Sequence, residues 1–138
     1  MITGTLPQVG TAVTLSKAIS EADVALFTLL TDDHLPTADE ASDEALQPRE
    51  HQSVPPALVS ALLAGAAARH GGGIACARIA REEVRFVGDA FTDDTLTVVA
   101  EVVGQDATSG AVHVRAHCTN QDAALLAEGS FEVRQAAG

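Results

Sequence analysis

The sequence predicts an α+β fold in which an antiparallel sheet packs around one buried central helix. Pro55 and Pro56 begin the clearest helical pattern, because proline is favoured at the first position of a helix. Apolar and small residues fill this pattern up to Arg69, so we expect a helix that is buried nearly all round. After the glycines at 71–73, hydrophobic residues recur with a period of two, which is typical of strands. The predicted strands are residues 74–86, 95–103, 111–119 and 125–133.

Turn-forming residues separate these strands at Gly88-Asp89, at 104–110 and at 120–122. Because short turns join antiparallel neighbours, we expect the four strands to follow one another in the sheet as a meander. Residues 111–119 alternate between apolar and polar side chains, so we expect one buried face and one exposed face.

A further strand and a short helix precede the central helix. Residues 11–16 alternate in polarity, which predicts a strand. Ser20 and Asp23 have the spacing of a capping pair, and apolar residues then recur on one face, which predicts a helix from 21 to 30. Residues 31–53 have little apolar periodicity, and a connection of this length inside a domain is usually functional or mobile.

Length and composition exclude several classes of function. The chain has 138 residues, of which 46% are hydrophobic, and this predicts one domain over residues 1–138. Nineteen acidic and eight basic residues give a formal net charge of −11, so nucleic acids and membranes are not expected partners. The lack of Trp and Tyr and the presence of only four Phe largely exclude aromatic stacking platforms. The sequence shows neither a secretory signal nor an apolar run of about 18–20 residues, so we expect a cytoplasmic protein.

The cysteine and histidine patterns do not predict a metal site. Cys76 and Cys118 lie far apart in predicted strands, and we expect both to be buried free thiols. His113 and His117 would be about 13 Å apart along a strand, which is too far to share one metal ion. We therefore expect no metal and no other cofactor.

Two segments and the order of the elements carry a family resemblance. Residues 84–96, VRFVGDAFTDDTL, are similar to a strand segment that ends in Pro-Gly-Asp-Thr-Leu, and residues 119–129 are similar to the last hairpin of the same family. The element order, with a long connection before the central helix, resembles the hot-dog fold. More narrowly, residues 22–133 resemble the MaoC-like (R)-specific enoyl-thioester hydratases and dehydratases. The resemblance implies a sheet wrapped around a central helix and an acyl or enoyl thioester as substrate.

The catalytic motif of this family lies in the connection before the central helix. Its pattern is Asp-x-Asn-Pro-x-His, and the chain has DHLPTA at residues 33–38. The Asp and the Pro match, whereas a leucine and Ala38 replace the Asn and the catalytic His. The resemblance implies that Asp33 is a catalytic base, and His34 and His51 are the candidates for the missing proton carrier. The alternative is that all three are ordinary polar residues of a solvated loop.

The second family motif is a His-Gly pair at the start of the central helix, where a backbone N–H polarises the thioester carbonyl. Val54-Pro55-Pro56 is the best match by loop and helix length. Since proline has no N–H, the donor must come from Ala57 or elsewhere. A shifted alignment instead places His51 at the motif histidine.

Arginine supplies seven of the eight basic residues, and four arginines cluster at the end of the central helix and in the next strand. They are Arg69, Arg78, Arg81 and Arg85. We predict that Arg81 and Arg85 bind the phosphates of coenzyme A or phosphopantetheine. Alternatively, these two side chains pair with Glu82, Glu83 and other surface acids.

The leading hypothesis is a hydratase or dehydratase variant that acts on an acyl or enoyl thioester through Asp33. Three alternatives stay open: a hot-dog thioesterase, an isomerase or cyclase of a polyketide-type intermediate, and a non-catalytic acyl-thioester-binding subunit. We also expect a homodimer, because a lone sheet leaves an exposed edge and a half-covered helix.

Overall fold

One antiparallel sheet and one helix packed on it make up the centre of the molecule. The computed structural model describes residues 6–31 and 52–135. Its elements in chain order are β1 (Ala12–Ala18), α1 (Glu21–Leu30), α2 (Pro56–Ala68), a 3₁₀ turn (Arg69–Gly71), β2 (Ala77–Phe86), β3 (Thr95–Asp106), β4 (Ala111–Thr119) and β5 (Leu125–Gln135). The strands are ordered β1-β3-β4-β5-β2, and α2 contacts all five. The predicted α+β class is confirmed.

Strand β4 shows how the sequence pattern separates the two faces of the sheet. Its side chains alternate between buried and exposed, as predicted, because successive residues of a strand point to opposite sides. Val114 and Cys118 lie on the inner face, which packs against α2, and Arg115 and His117 lie on the outer face, which is exposed. The buried core is formed by inner-face residues of the central strands together with Val59, Leu63 and Ala66 of α2.

Helix α1 begins as the sequence predicts. The hydroxyl oxygen of Ser20 accepts a hydrogen bond from the Asp23 N–H at 3.1 Å, and the Ser20 N–H donates to Oδ2 of Asp23 at 2.9 Å. This reciprocal capping box satisfies backbone donors that the helix cannot pair internally. The Ser20 N–H and the nearby Lys17 ammonium, 3.2 Å away, lower the pKa of the Asp23 carboxyl.

The predicted meander is wrong for β2. This strand pairs with β5, at the far side of the sheet from β3. The Gly88-Asp89 segment does not reverse the chain into a hairpin, because the N–H groups of Val87 and Gly88 both donate to the carbonyl of Leu126 and keep the chain beside β5. The chain then crosses the end of the sheet before β3 begins. Strands β3, β4 and β5 do form a meander.

The prediction that α2 is buried nearly all round is also wrong. Val59 and Leu63 are buried on the side that faces the sheet, whereas Pro56, Ala57 and Ala61 are exposed. A single sheet covers only one side of a helix. The small side chains of α2 leave its other side apolar and open in this chain.

A tight turn joins α2 to β2. A Cβ atom on Gly71 would lie 2.9 Å from Cβ of Ala77, which is too close for any other residue. Gly72 then adopts a left-handed conformation with φ of 100° and ends the helix. The turn continues to Cys76, so this cysteine is exposed and precedes the strand, contrary to the prediction. Cys118 is buried, as predicted.

No helix within residues 6–31 and 52–135 is long and apolar enough to cross a membrane.

Candidate functional site

The start of α2 exposes one backbone donor. Pro55 caps the helix without a side-chain hydrogen bond, and Pro56 occupies the first helical position, where it has no N–H to offer. The Leu58 N–H donates to the Pro55 carbonyl at 2.9 Å. Within the described part of the chain, the Ala57 N–H has no acceptor, and no acidic side chain lies in the first turn. The positive end of the helix dipole therefore coincides with an unpaired N–H.

An apolar cleft of about 200 Å³ lies beside this helix end. Helix α1 forms one side of the cleft, α2 forms the other, and the end of β1 forms its floor. Two polar residues line the cleft, Lys17 and Asp23, and they form an ion pair. The apolar lining residues are Ile19, Leu26, Phe27, Leu30, Leu58 and Leu62. Leu26 and Leu30 are 60% and 78% exposed, so the apolar lining of the cleft is open to solvent within the described part of the chain. A small apolar cleft next to a polar donor is the usual composition of a small-molecule site.

The turn at residues 91–94 contacts the chain on both sides of the cleft. On the α2 side, the Gln52 N–H donates to Oγ1 of Thr92 at 2.9 Å, and the Thr92 N–H donates to the Gln52 carbonyl at 2.7 Å. On the α1 side, the Asp93 N–H donates to the Ile19 carbonyl at 2.7 Å, and the Ile19 N–H donates to the Asp94 carbonyl at 3.0 Å. Four hydrogen bonds thus connect one turn to both helix entrances.

The predicted catalytic residues Asp33, His34 and His51 lie outside the described residues. Of the predicted substrate-binding residues, Pro55, Pro56 and Ala57 lie at the start of α2, directly before the cleft residue Leu58.

Arg81 and Arg85 do not join that group. Both lie on the outer face of β2, so they point away from α2 and the cleft. Arg85 Nη2 contacts Oε1 of Glu128 on β5 at 2.8 Å, which agrees with the alternative hypothesis of a surface ion pair, although with a different partner from Glu82 or Glu83. Strand alternation explains this placement, because residues four apart on a regular strand share one face.

Two grooves on the outer face of the sheet, of about 640 and 450 Å³, are larger than the cleft but differ from it in their lining. Charged side chains of both signs line them and partly neutralise one another, as Arg85 and Glu128 do. The cleft is the better candidate site, because its surface is apolar and it includes Leu58, the residue after Ala57. No three metal-ligating side chains come together anywhere in the described ranges.

Several residues of the cleft were not predicted from the sequence as site residues. In the sequence, Phe27 and Leu30 belong to the apolar face of α1, and Leu58 and Leu62 belong to the apolar pattern of α2; neither pattern by itself indicates a site. Thr92 precedes Asp93, whose φ of 74° is rare for a residue with a side chain, but this conformation is visible only in the structure. Nothing in the sequence connects Thr92 to Gln52, which lies forty residues earlier.

Comparisons with known proteins agree with the hot-dog fold. Residues 51–124, more than half of the chain, match the family model described as the thioesterase superfamily. The search of curated proteins gave no significant match.

Three solved structures illustrate the similarity. The (R)-hydratase from A. caviae involved in PHA biosynthesis is 24% identical with a TM-score of 0.76, and the alignment covers 95% of this chain and 98% of that one. R-hydratase PhaJ1 from Pseudomonas aeruginosa is 22% identical with a TM-score of 0.76, covering 96% and 84%. A mutant of a hypothetical thioesterase from Streptococcus pneumoniae is 10% identical with a TM-score of 0.64, covering 97% and 88%. At these identities the likeness concerns the fold.

Proposed function

This chain belongs to the thioesterase superfamily, and we propose that it is a MaoC-like hydratase or dehydratase of enoyl thioesters carried by coenzyme A or phosphopantetheine. One observation carries the proposal: the apolar cleft of about 200 Å³ reaches Leu58 in the first turn of α2, one residue after Ala57, whose N–H has no acceptor among the described residues. The two (R)-hydratases that share the fold lend further support.

In the proposed complex, the thioester carbonyl accepts a hydrogen bond from the Ala57 N–H. Negative charge grows on this oxygen as the enolate forms, and a fixed donor at the positive end of a helix stabilises that charge. The acyl chain enters the cleft along α2, past Leu58 and Leu62. The apolar lining favours a hydrocarbon chain over a charged one.

Asp33 is the proposed base. It follows Thr31, the residue after α1, by two positions, and two residues span at most about 7 Å. In hydration, the Asp33 carboxylate accepts a proton from water while the water oxygen bonds to the β-carbon of the double bond. The α-carbon of the enolate then takes a proton from His34 or from His51, which immediately precedes Gln52. Dehydration is the reverse sequence.

We also propose a homodimer formed through β2. This strand is an edge of the sheet, and its pairing groups on the side away from β5 are free within the described chain. The exposed small residues of α2 offer an apolar surface that a second copy would cover.

The test is an assay of short and medium enoyl thioesters in which enoyl absorbance and free thiol are followed together. The proposal predicts loss of enoyl absorbance without release of thiol. A saturated acyl thioester of the same length serves as the control, and it must show no change in either signal.

A thioesterase is the second candidate, because the matched family carries that name and a hypothetical thioesterase shares the fold. Release of thiol from both substrates would support this candidate and contradict the hydratase. Binding of the thioester without any turnover would contradict both enzymes and would leave a non-catalytic subunit, or an isomerase or cyclase of another substrate. An isomerase or cyclase would leave these simple substrates unchanged.

A further inference from the structure

We infer that Thr92 is a positioning residue that fixes the start of α2, and with it the Ala57 N–H, relative to the cleft. This inference rests on the proposed function, in which that N–H binds the thioester carbonyl. Thr92 does not itself reach the substrate in this account. It acts through the backbone of Gln52, to which it makes two hydrogen bonds.

The first step concerns the bonds that Thr92 makes. Its side chain is 1% exposed, and its hydroxyl oxygen accepts from the Gln52 N–H at 2.9 Å, while its own N–H donates to the Gln52 carbonyl at 2.7 Å. The Val54 N–H donates to the Ala90 carbonyl at 2.8 Å, and Ser53 forms a bridge with Phe91. Residues 52–54 are therefore held as a hydrogen-bonded segment that leads directly into the Pro55 cap.

The second step concerns the other side of the turn. Ile19 is 1% exposed, lies on the floor of the cleft and exchanges two hydrogen bonds with Asp93 and Asp94. The next residue is Ser20, the cap of α1. The same turn therefore sets where α1 begins and where α2 begins, which are the two sides of the cleft.

The third step concerns the rigidity of the turn. Asp93 has a φ of 74°, a conformation that a residue with a side chain keeps only when its surroundings impose it. The Asp94 carboxylate provides such surroundings, since it accepts from the Phe91 N–H at 2.9 Å and from Nε2 of Gln121 at 2.9 Å. Gln121 Oε1 accepts in turn from the Thr95 N–H at 3.0 Å.

Together these contacts explain why a buried hydroxyl is present at position 92. Valine has nearly the same shape as threonine but cannot accept the Gln52 N–H, which would be left half-buried without a partner. The segment 52–54 would then shift to find another partner. A displacement of about 1 Å at a reacting group is enough to lower a rate by up to about a hundredfold.

The experiment compares Thr92→Val with Thr92→Ser, which keeps the hydroxyl, and with Thr97→Val. Thr97 is the matched control, because its hydroxyl bonds to Ser16, 3.0 Å away on the outer face, and neither residue lines the cleft. For each variant we measure kcat and KM with an enoyl thioester, amide hydrogen exchange at Gln52, and thermal unfolding. If Thr92→Val does not fold, Thr92→Cys replaces it as a weaker acceptor of similar size.

The inference predicts that Thr92→Val lowers kcat at least about tenfold with KM nearly unchanged, and that the Gln52 amide exchanges about tenfold faster. Thr92→Ser restores both values, and Thr97→Val alters neither. A purely structural role would lower the melting temperature but leave kcat of the folded enzyme unchanged. Normal kcat in Thr92→Val, despite loss of protection at Gln52, would overturn the inference and leave the proposed function intact.

Failure of the proposed function gives a different result. If the wild-type protein does not turn over enoyl thioesters, affinity for a saturated acyl-coenzyme A is measured by calorimetry instead. A roughly tenfold weaker Kd in Thr92→Val, rescued in Thr92→Ser, would support positioning at a binding site. Equal affinities, or no binding by the wild-type protein, would overturn the inference.

Discussion

His70 Nε2 lies 2.9 Å from the carbonyl oxygen of Ala100, and this buried hydrogen bond ties the end of α2 to the middle of β3. A carbonyl oxygen only accepts, so Nε2 must carry the proton. The bond fixes the far end of α2, while the contacts of Thr92 fix its beginning. The helix is therefore held against the sheet at both ends.

Replacing His70 with leucine is expected to lower the free energy of unfolding by about 1–3 kcal/mol, because the change removes a buried hydrogen bond. The control is His117→Leu, on the exposed outer face, for which we expect less than about 0.5 kcal/mol. Urea unfolding of both variants measures the difference. Equal stabilities would show that the bond to Ala100 contributes nothing.

The two cysteines are expected to differ in reactivity. Burial raises the pKa of the Cys118 thiol to about 11, so this thiol stays neutral, whereas Cys76 is exposed in the turn before β2. A thiol reagent at pH 8 should label one cysteine in the native protein and two after denaturation, and Cys76→Ser should abolish the native reaction. Rapid native labelling of Cys76→Ser would contradict this expectation.

The raised pKa of the Cys118 thiol also predicts that the folded protein is less stable at alkaline pH. The unfolded chain loses the Cys118 proton near the ordinary value of 9.0, but the folded protein keeps it until the pKa of about 11. Unfolding therefore releases a proton, and the free energy of unfolding falls as pH rises between these values. Cys118→Ala should lessen this slope in urea unfolding at pH 8 to 10.5.

Filling the cleft is expected to shorten the acyl chain that the protein accepts. Leu62→Trp places a large side chain in the lining, whereas Leu29→Trp, on an α1 residue that is 67% exposed and outside the lining, is the matched control. Each methylene that can no longer be buried costs about 0.8 kcal/mol, so a hexanoyl thioester should lose about tenfold more affinity than a butyryl one. Calorimetry with both ligands measures this selectivity, and equal losses would place the acyl chain elsewhere.

The proposed homodimer predicts a mass of twice 14.1 kDa in light scattering at micromolar concentration. Ala80 is exposed and has no partner on β5, because the pairing shifts between Ile79 and Arg81. Proline is tolerated at such a bulge and blocks pairing along an edge, so Ala80→Pro should give a monomer. Ala107→Pro, in the β3–β4 turn, is the control and should stay dimeric. A monomeric wild-type protein would contradict the proposal.

Local patterns were enough to predict most elements of the fold. The Ser20–Asp23 capping box and the alternation along β4 depend on residues close in the sequence, and both are present in the structure. The start of α2 at Pro56 follows equally from the local preference of proline. The cleft-lining residues of α1 and α2 could be recognised as apolar from the same patterns, but not as neighbours in space.

The errors have a common physical origin in contacts between distant residues. The Gly88 segment does not form a hairpin because its backbone bonds to Leu126, which lies far away in the sequence. Arg85 pairs with Glu128 because β5 is the strand beside β2, and the sequence does not show which strand that is. The exposed side of α2 reflects how far one sheet can extend around a helix. The roles of Asp33, His34 and His51 stay predictions, since these residues lie outside the described ranges.

The central claim is that Asp33 is the base of an enoyl-thioester hydratase. The most direct measurement is kcat/KM for hydration in Asp33→Asn beside Asp32→Asn, a control that removes the neighbouring carboxylate. We predict a loss of about 10²–10⁴-fold for Asp33→Asn and less than about threefold for Asp32→Asn. Equal activity in the two variants, or unchanged activity in Asp33→Asn, would contradict the claim.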